Sequence, residues 1–167
     1  MSKAPWYLLD VNVLVSLLDE DHMHHLPATE WFDTPGLQWA ICPFTEAGFL
    51  RYMTRPKTGD MNMEEATAML ARLAQEPGYH YQPILADWHT LCGPFFKRLF
   101  GHNQITDAYL LGLAVRERMV LVTFDRAMLN LAGEHNKHVL TLEAKWTSVW
   151  WLWRADRSNV YPPPTVY

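Results

Sequence analysis

Very little in this sequence suits an oxidising compartment or a membrane. Its two cysteines, Cys42 and Cys92, lie far apart in 167 residues. That count makes no disulfide framework, and that spacing no zinc site, so a reducing compartment is expected. Long hydrophobic runs are missing too, since none reaches the roughly 18 residues of a membrane span. The opening "MSKAPWYLLD" lacks the charged-then-apolar build and cleavage site of a signal peptide. A cytoplasmic protein is the expectation. There is no excess of positive charge either: 14 Lys and Arg stand against 18 Asp and Glu, a formal net charge of −4. This excludes a general nucleic-acid coat but not a nucleic-acid enzyme, which needs only a local basic patch. Charged residues make up 19% and apolar residues 49%, a balance that excludes a disordered chain.

What is present alternates between two hydrophobic periods. "PWYLLD" reads as a short buried strand and "NVLVSLLDE" as a helix, with Val13, Leu14, Leu17 and Leu18 at helical spacing. "HHLPATEWF" predicts a second short helix stopped at Pro35–Gly36. "LQWAICPF" reads as a second strand, and "TEAGFLRYMTR" as a helix opened by Thr45. The clearest helix is "NMEEATAMLARLAQEPG", where Asn62 and Glu65 have capping-box spacing and Pro77–Gly78 makes the stop. "YHYQPIL" follows as a strand that Pro83 assigns to a sheet edge. "DWHTLCGPFFKRLFG" reads as two helical pieces broken at Gly93–Pro94, and the nearly all-apolar "TDAYLLGLAVRERM" as a central helix. "VLVTFD", "RAMLNLAG" and "HVLTL" close the pattern as strand, helix and strand. Strands alternating with helices predict an α/β fold, with a parallel sheet of about five strands covered on both faces. Residues 1–143 make that domain. The stretch 144–167 holds four of the eight tryptophans and a triple proline. It reads as a tail that packs on the domain or makes a dimer or partner contact.

Four carboxylates fall at the joints: Asp10 in "LLDVN", Glu46 in "PFTEAGF", Asp107 in "ITDAYLL" and Asp125 in "VTFD". In an open parallel sheet, ligands bind outside the carboxyl ends of the strands. Taken singly, each acid is explained as a helix-start residue that caps free N–H groups or complements the helix dipole. Taken together, in apolar surroundings and with no Lys or Arg placed to neutralise all four, they raise one another's pKa and destabilise the fold. A divalent cation resolves that conflict, and oxygen ligands without His or Cys select Mg²⁺ or Mn²⁺ over zinc. A hard cation with open water positions suits phosphodiester hydrolysis.

Around these acids, Asn12 and Thr123 are neutral hydrogen-bonders able to orient ligands or water, or else plain turn and strand-end residues. Arg51, on the helix after Glu46, is the expected phosphate contact, with Lys97, Arg98 and His102 as a second basic stretch. His22, His24 and His25 read as helix–loop surface rather than a metal tract.

"LLDVNVLVSLLDEDHMHH", "CPFTEAGFLR", "GHNQITDAYLLGLAV" and "LVTFD", in this order from about Tyr7 to Leu142, resemble PIN-domain proteins, specifically VapC-type toxins of prokaryotic toxin–antitoxin pairs. The resemblance implies a three-layer sandwich of helices around a parallel five-stranded sheet. It implies an Mg²⁺- or Mn²⁺-dependent endoribonuclease, a cognate VapB-type antitoxin and a homodimer. Asp10, Glu46, Asp107 and Asp125 match the family's four acids in turn. Asp10 and Asp107 would be the principal metal ligands, and Glu46 and Asp125 would complete the shell or position water. The departure is the tail beyond Glu143, where such proteins usually stop. Two rivals stay open: a non-catalytic PIN-like module that binds RNA or protein, and a receiver-like Mg²⁺-binding signalling domain. The second is disfavoured because "DVN" lacks that fold's acid pair.

Overall fold

The computed structural model describes residues 4–143, so the reading of the Trp-rich tail lies outside the described residues. Five short strands carry the fold: β1 (Trp6–Leu9), β2 (Gln38–Ile41), β3 (Tyr79–Tyr81), β4 (Val120–Thr123) and β5 (Val139–Thr141). All neighbours pair in parallel, in the order β3-β2-β1-β4-β5. The described helices are α1 (Val11–Leu18), α2 (His25–Phe32), α3 (Pro43–Met53), α4 (Met63–Leu73), α5 (Trp88–Cys92), α6 (Ile105–Arg116) and α7 (Ala127–Ala132).

Side chains alternate across the strands, and this alternation makes two cores. Leu8, Ala40 and Leu121 point to one face and pack with Leu91, Phe95 and Leu111 beneath α5 and α6. Leu9, Trp39, Ile41 and Val122 point to the other and meet Leu14, Phe49 and Leu70 from α1, α3 and α4. The middle of α6 is buried at Ala108 and from Leu110 through Ala114, as its apolar composition predicts. The sheet is therefore covered on both faces.

Local chemistry explains the element ends. At α4 the capping box is complete: Asn62 Oδ1 accepts from the Glu65 N–H at 2.9 Å, and Glu65 Oε2 accepts from the Asn62 N–H at 3.0 Å. Gly78, at φ +79°, makes the turn into β3, which lies at the sheet edge. The break at Gly93 is present, but the second piece, Gly93–Arg98, is a 3-10 helix rather than an α-helix.

Two expectations need correction. α3 starts at Pro43, not at Thr45, because the fixed φ of proline suits the first helical position. Thr45 is instead fully buried, and its hydroxyl donates to the Leu9 carbonyl at 2.8 Å, tying α3 to β1. The fourth strand ends at Thr123, so Asp125 stands two residues beyond it.

The strand order decides where a ligand can sit. The chain builds outward from β1 to β2 and β3, then crosses back to add β4 and β5 on the other side. The topological switch point therefore lies between β1 and β4, and the edge at their carboxyl ends is where open parallel sheets bind ligands. Asp10 directly follows β1, and its N–H bonds to the Val122 carbonyl at 3.0 Å.

Candidate active site

Asp10 sits at that edge, directly after β1, with 6% of its surface exposed. It is the N-cap of α1, its Oδ1 accepting from the Val11 N–H at 2.6 Å. Its Oδ2 accepts from the Thr123 hydroxyl at 2.6 Å. Thr123 is a hub, because its oxygen also accepts from Asn12 Nδ2 at 3.1 Å and from the Asp125 N–H at 3.0 Å. Those two neighbours can only donate, so the single hydroxyl proton goes to Asp10 Oδ2, a bond that favours the ionised carboxylate. Asn12 is locked in turn, since its Oδ1 accepts from the Phe124 N–H at 3.2 Å. Asn12 and Thr123 are thus brought together with Asp10 and the Asp125 backbone. Burial pushes the Asp10 carboxyl up, the bonds from Thr123 and Val11 pull it down, and the Asp125 charge raises it again. The net direction is upward.

Asp107 lies in the first turn of α6, half-buried, and its side chain makes no hydrogen bond among the described residues. Its carboxyl is pushed up to about 6, first by burial and then by the charges of Asp10 and Asp125. Asp125 is exposed, and its Oδ1 accepts from the Ala127 N–H at 2.8 Å, so the ordinary helix-start role holds for it as well. The apolar surroundings expected of all four acids therefore apply to Asp10 and Asp107 but not to Asp125.

Three of the four acids act on one another electrostatically. The fourth, Glu46, is half-buried in the first turn of α3. Its charge acts instead on Tyr79 and Tyr81 of β3, adding to the effect of burial in raising both hydroxyls. Glu46 is not among the charges that move Asp10 or Asp107. Arg51 is exposed in the last turn of α3, and nothing links it to the acids.

No basic side chain among the described residues neutralises the group. Arg126, next to Asp125, is engaged with Glu143 at 2.9 Å. Nor do three His, Cys, Asp or Glu side chains among the described residues gather closely enough to hold a metal ion by themselves. The histidines His22, His24 and His25 likewise form no such group. Two or three uncompensated carboxylates at that edge of the sheet still fit one kind of ion well. Mg²⁺ keeps several waters and is typically bound through one or two carboxylates plus substrate oxygens, not by an all-protein cage. Asp10 and Asp107 are the residues that could hold it. Clefts of about 320 Å³ beside Gln38 and about 600 Å³ along α4 contain none of the four acids.

Sequence reasoning missed several neighbours. His24 stacks on Phe124, one residue before Asp125, with ring centroids 4.4 Å apart. Phe44, two residues before Glu46, meets Tyr109, two residues after Asp107, at 4.7 Å. A signal existed only in their sequence proximity to the acids.

Comparison with known proteins identifies the family. A family model described as PIN domain matches residues 7–134. The chain is 41% identical over 133 residues to ribonuclease VapC38 of Mycobacterium tuberculosis, covering 78% of this chain and 92% of that protein. It is 35% identical over 140 residues to ribonuclease VapC44 of the same species, covering 81% and 98%. Among solved structures it resembles VapBC2 from Rickettsia felis bound to a DNA fragment from their promoter, with a TM-score of 0.59 at 16% identity over 83% of this chain and 99% of that one. VapBC-1 from nontypeable Haemophilus influenzae gives a TM-score of 0.54 at 14% identity, covering 81% and 97%. At such identities the structural likeness speaks to the fold.

Proposed function

The chain belongs to the PIN-domain family, among the VapC ribonucleases, and from that premise we propose that it hydrolyses RNA phosphodiester bonds as the toxin of a VapBC-type pair. The observation that carries the reading is the buried, uncompensated Asp10 at the switch point, sharing its field with Asp107 and Asp125.

Asp10 and Asp107 bind the divalent cation, Mg²⁺ or Mn²⁺, and Asp125 completes or orients its water shell. When bound, that ion supplies an activated water and offsets charge on the leaving oxygen. Thr123 favours the ionised form of Asp10 and aims it by donating its only proton to Oδ2. Asn12 fixes Thr123 and the β4–α7 turn together. Glu46, turned towards Tyr79 and Tyr81, serves the attacking water or the substrate side of the site. Arg51 contacts phosphate further along the strand. The four acids, with these three helpers, constitute the proposed site.

The partner of the reading is a VapB-type antitoxin, supported by relatives solved as VapBC assemblies. A homodimer and a cytoplasmic location follow from the same reading. No helix among the described residues is long and apolar enough to cross a membrane.

The test is cleavage of a total RNA pool by the purified chain with Mg²⁺ or Mn²⁺, against EDTA and an Asp107→Asn protein. Metal-dependent cutting that falls by more than the roughly 10–100-fold cost of an outer-shell loss supports it. A folded, metal-binding chain that cuts nothing, free of antitoxin, returns the reading to a non-catalytic PIN-like module.

A further inference from the structure

A line of aromatic rings leads away from the acids across the α5 side of the molecule. It starts at Phe44, passes to Tyr109 at 4.7 Å, then to Trp88 at 5.0 Å and to Phe96 at 6.0 Å. Trp88 and Phe96 are near parallel, at 21°. Its inner end lies on the two helices that carry Glu46 and Asp107, since Phe44 belongs to α3 and Tyr109 to α6. Exposure rises outward: the first three rings are half-buried, whereas Phe96 is 40% exposed.

The stretch of chain that carries the outer rings, residues 85–106, is richer in cations than in acids. Between residues 85 and 106 the only acid is Asp87, whose carboxylate is engaged at the α5 N-cap with the Thr90 N–H at 2.8 Å. Lys97 and Arg98 stand in the same stretch with no acidic partner among the described residues, and His89 and His102 are exposed there. In a chain of net charge −4, this is where cations and flat apolar rings occur together.

We propose that this face is a binding track for single-stranded RNA, its bases stacking on the outer rings and its phosphates meeting Lys97 and its cationic neighbours, so that the strand is delivered to the acids past Tyr109 and Phe44. The proposal rests on the ribonuclease reading. Bases stack on aromatic faces without sequence preference, and a backbone follows cations, so interleaved rings and positive charge are the chemistry of a single-strand groove. A duplex, whose bases are already stacked, gains only the phosphate part. The line ends at the Phe44–Tyr109 contact, which joins α3 and α6, the helices that carry Glu46 and Asp107.

The experiment is fluorescence anisotropy with a labelled single-stranded RNA 12-mer of mixed sequence, in EDTA so that nothing is cut. Its duplex form, Phe96→Ala, Phe96→Leu and Lys97→Gln are compared, with Arg72→Gln on α4 as a distant control. Expected are a loss of about 5- to 100-fold in affinity for Phe96→Ala, a smaller loss for Lys97→Gln with a salt slope reduced by about 0.7, and weaker duplex binding. Phe96→Leu keeps apolar bulk without the ring, so its loss of affinity separates stacking from misfolding. Unchanged affinity in all variants, beside a wild-type chain that binds, overturns the track. So does a variant that turns from dimer to monomer in light scattering while binding RNA as before, since the face would then join two copies. A wild-type chain that binds no RNA also overturns it, and metal-dependent cleavage measured in parallel tells whether the ribonuclease reading falls too.

Discussion

Thr123 has one proton and three polar neighbours, and that arithmetic makes it the most informative single residue. It is fully buried, and its partner Asp10 is buried too, so the bond between them is not readily replaced by water. Thr123→Val keeps the shape but takes an acceptor from the Asp125 N–H and the Asn12 amide, and it removes the bond that favours the ionised Asp10. The expected results are a stability loss of about 1–3 kcal/mol in urea titration and a roughly 10- to 100-fold fall in cleavage rate. The acid limb of the rate–pH profile should move to higher pH, because Asp10 is already raised by burial and loses a bond that lowers it. Thr123→Ser, which restores the hydroxyl, should recover most of the rate. A variant as active as the wild type, with an unmoved pH limb, would deny the hub its role. At this scale the identities of the acids were legible, since residue type and position at a strand end suffice. Their different surroundings were not. That Asp10 is buried and Asp125 exposed depends on β4 ending early, and that Glu46 turns to Tyr81 depends on β3 lying beside β2, which no local pattern encodes.

Elements were legible where their signal is local and illegible where a distant partner decides. Asn62 and Glu65 satisfy each other within one turn, so the start of α4 follows from four consecutive residues. Asn62→Ala should cost about 0.5–2 kcal/mol in denaturant unfolding, with the metal dependence of cleavage untouched. Thr45 is the contrary case. It has the composition of an N-cap, yet its hydroxyl is drawn to the Leu9 carbonyl, a bond 36 positions away in sequence. α6 makes the same point through a glycine. A Cβ at Gly112 would stand 2.4 Å from the Leu91 carbonyl oxygen, so α5 and α6 approach too closely for any side chain there. Helix propensity alone favours alanine over glycine by about 1 kcal/mol, but the clash is with backbone and cannot be relieved by a rotamer change. Gly112→Ala should therefore destabilise the protein, by about 1–3 kcal/mol in urea titration. A Gly112→Ala chain more stable than the wild type would mean that the two helices are free to separate.

At the scale of the whole molecule, the fold brings like charges together that it does not neutralise, and this sets how stability depends on pH. The parallel sheet and its helical cover were readable from alternation. The order β3-β2-β1-β4-β5 was not, because it depends on which side of β1 the chain returns to, and it is this return that puts Asp10 and Asp125 just past the ends of adjacent strands. The consequence is thermodynamic. Asp107 has a folded pKa of about 6 against 3.8 for the free side chain, and Asp10 is raised as well. A raised folded value means that the native state holds protons more tightly than the unfolded chain between those limits. The contribution of Asp107 is then fully present below about 3.8 and is lost as pH rises through about 6. In EDTA at pH 7.5 the native chain carries the full repulsion. Asp107→Asn removes one of the charges without changing shape, so the variant should melt a few degrees above the wild type there, and the two should converge near pH 4. Mg²⁺ binds the folded state and should reverse the order at pH 7.5, raising the wild-type melting temperature with ion concentration while leaving the variant much less affected. Melting curves of both chains, with and without Mg²⁺ at the two pH values, test this directly. A wild type that is already the more stable chain in EDTA at pH 7.5 would mean that the acids are compensated from within the protein, and that they are not held in readiness for a cation.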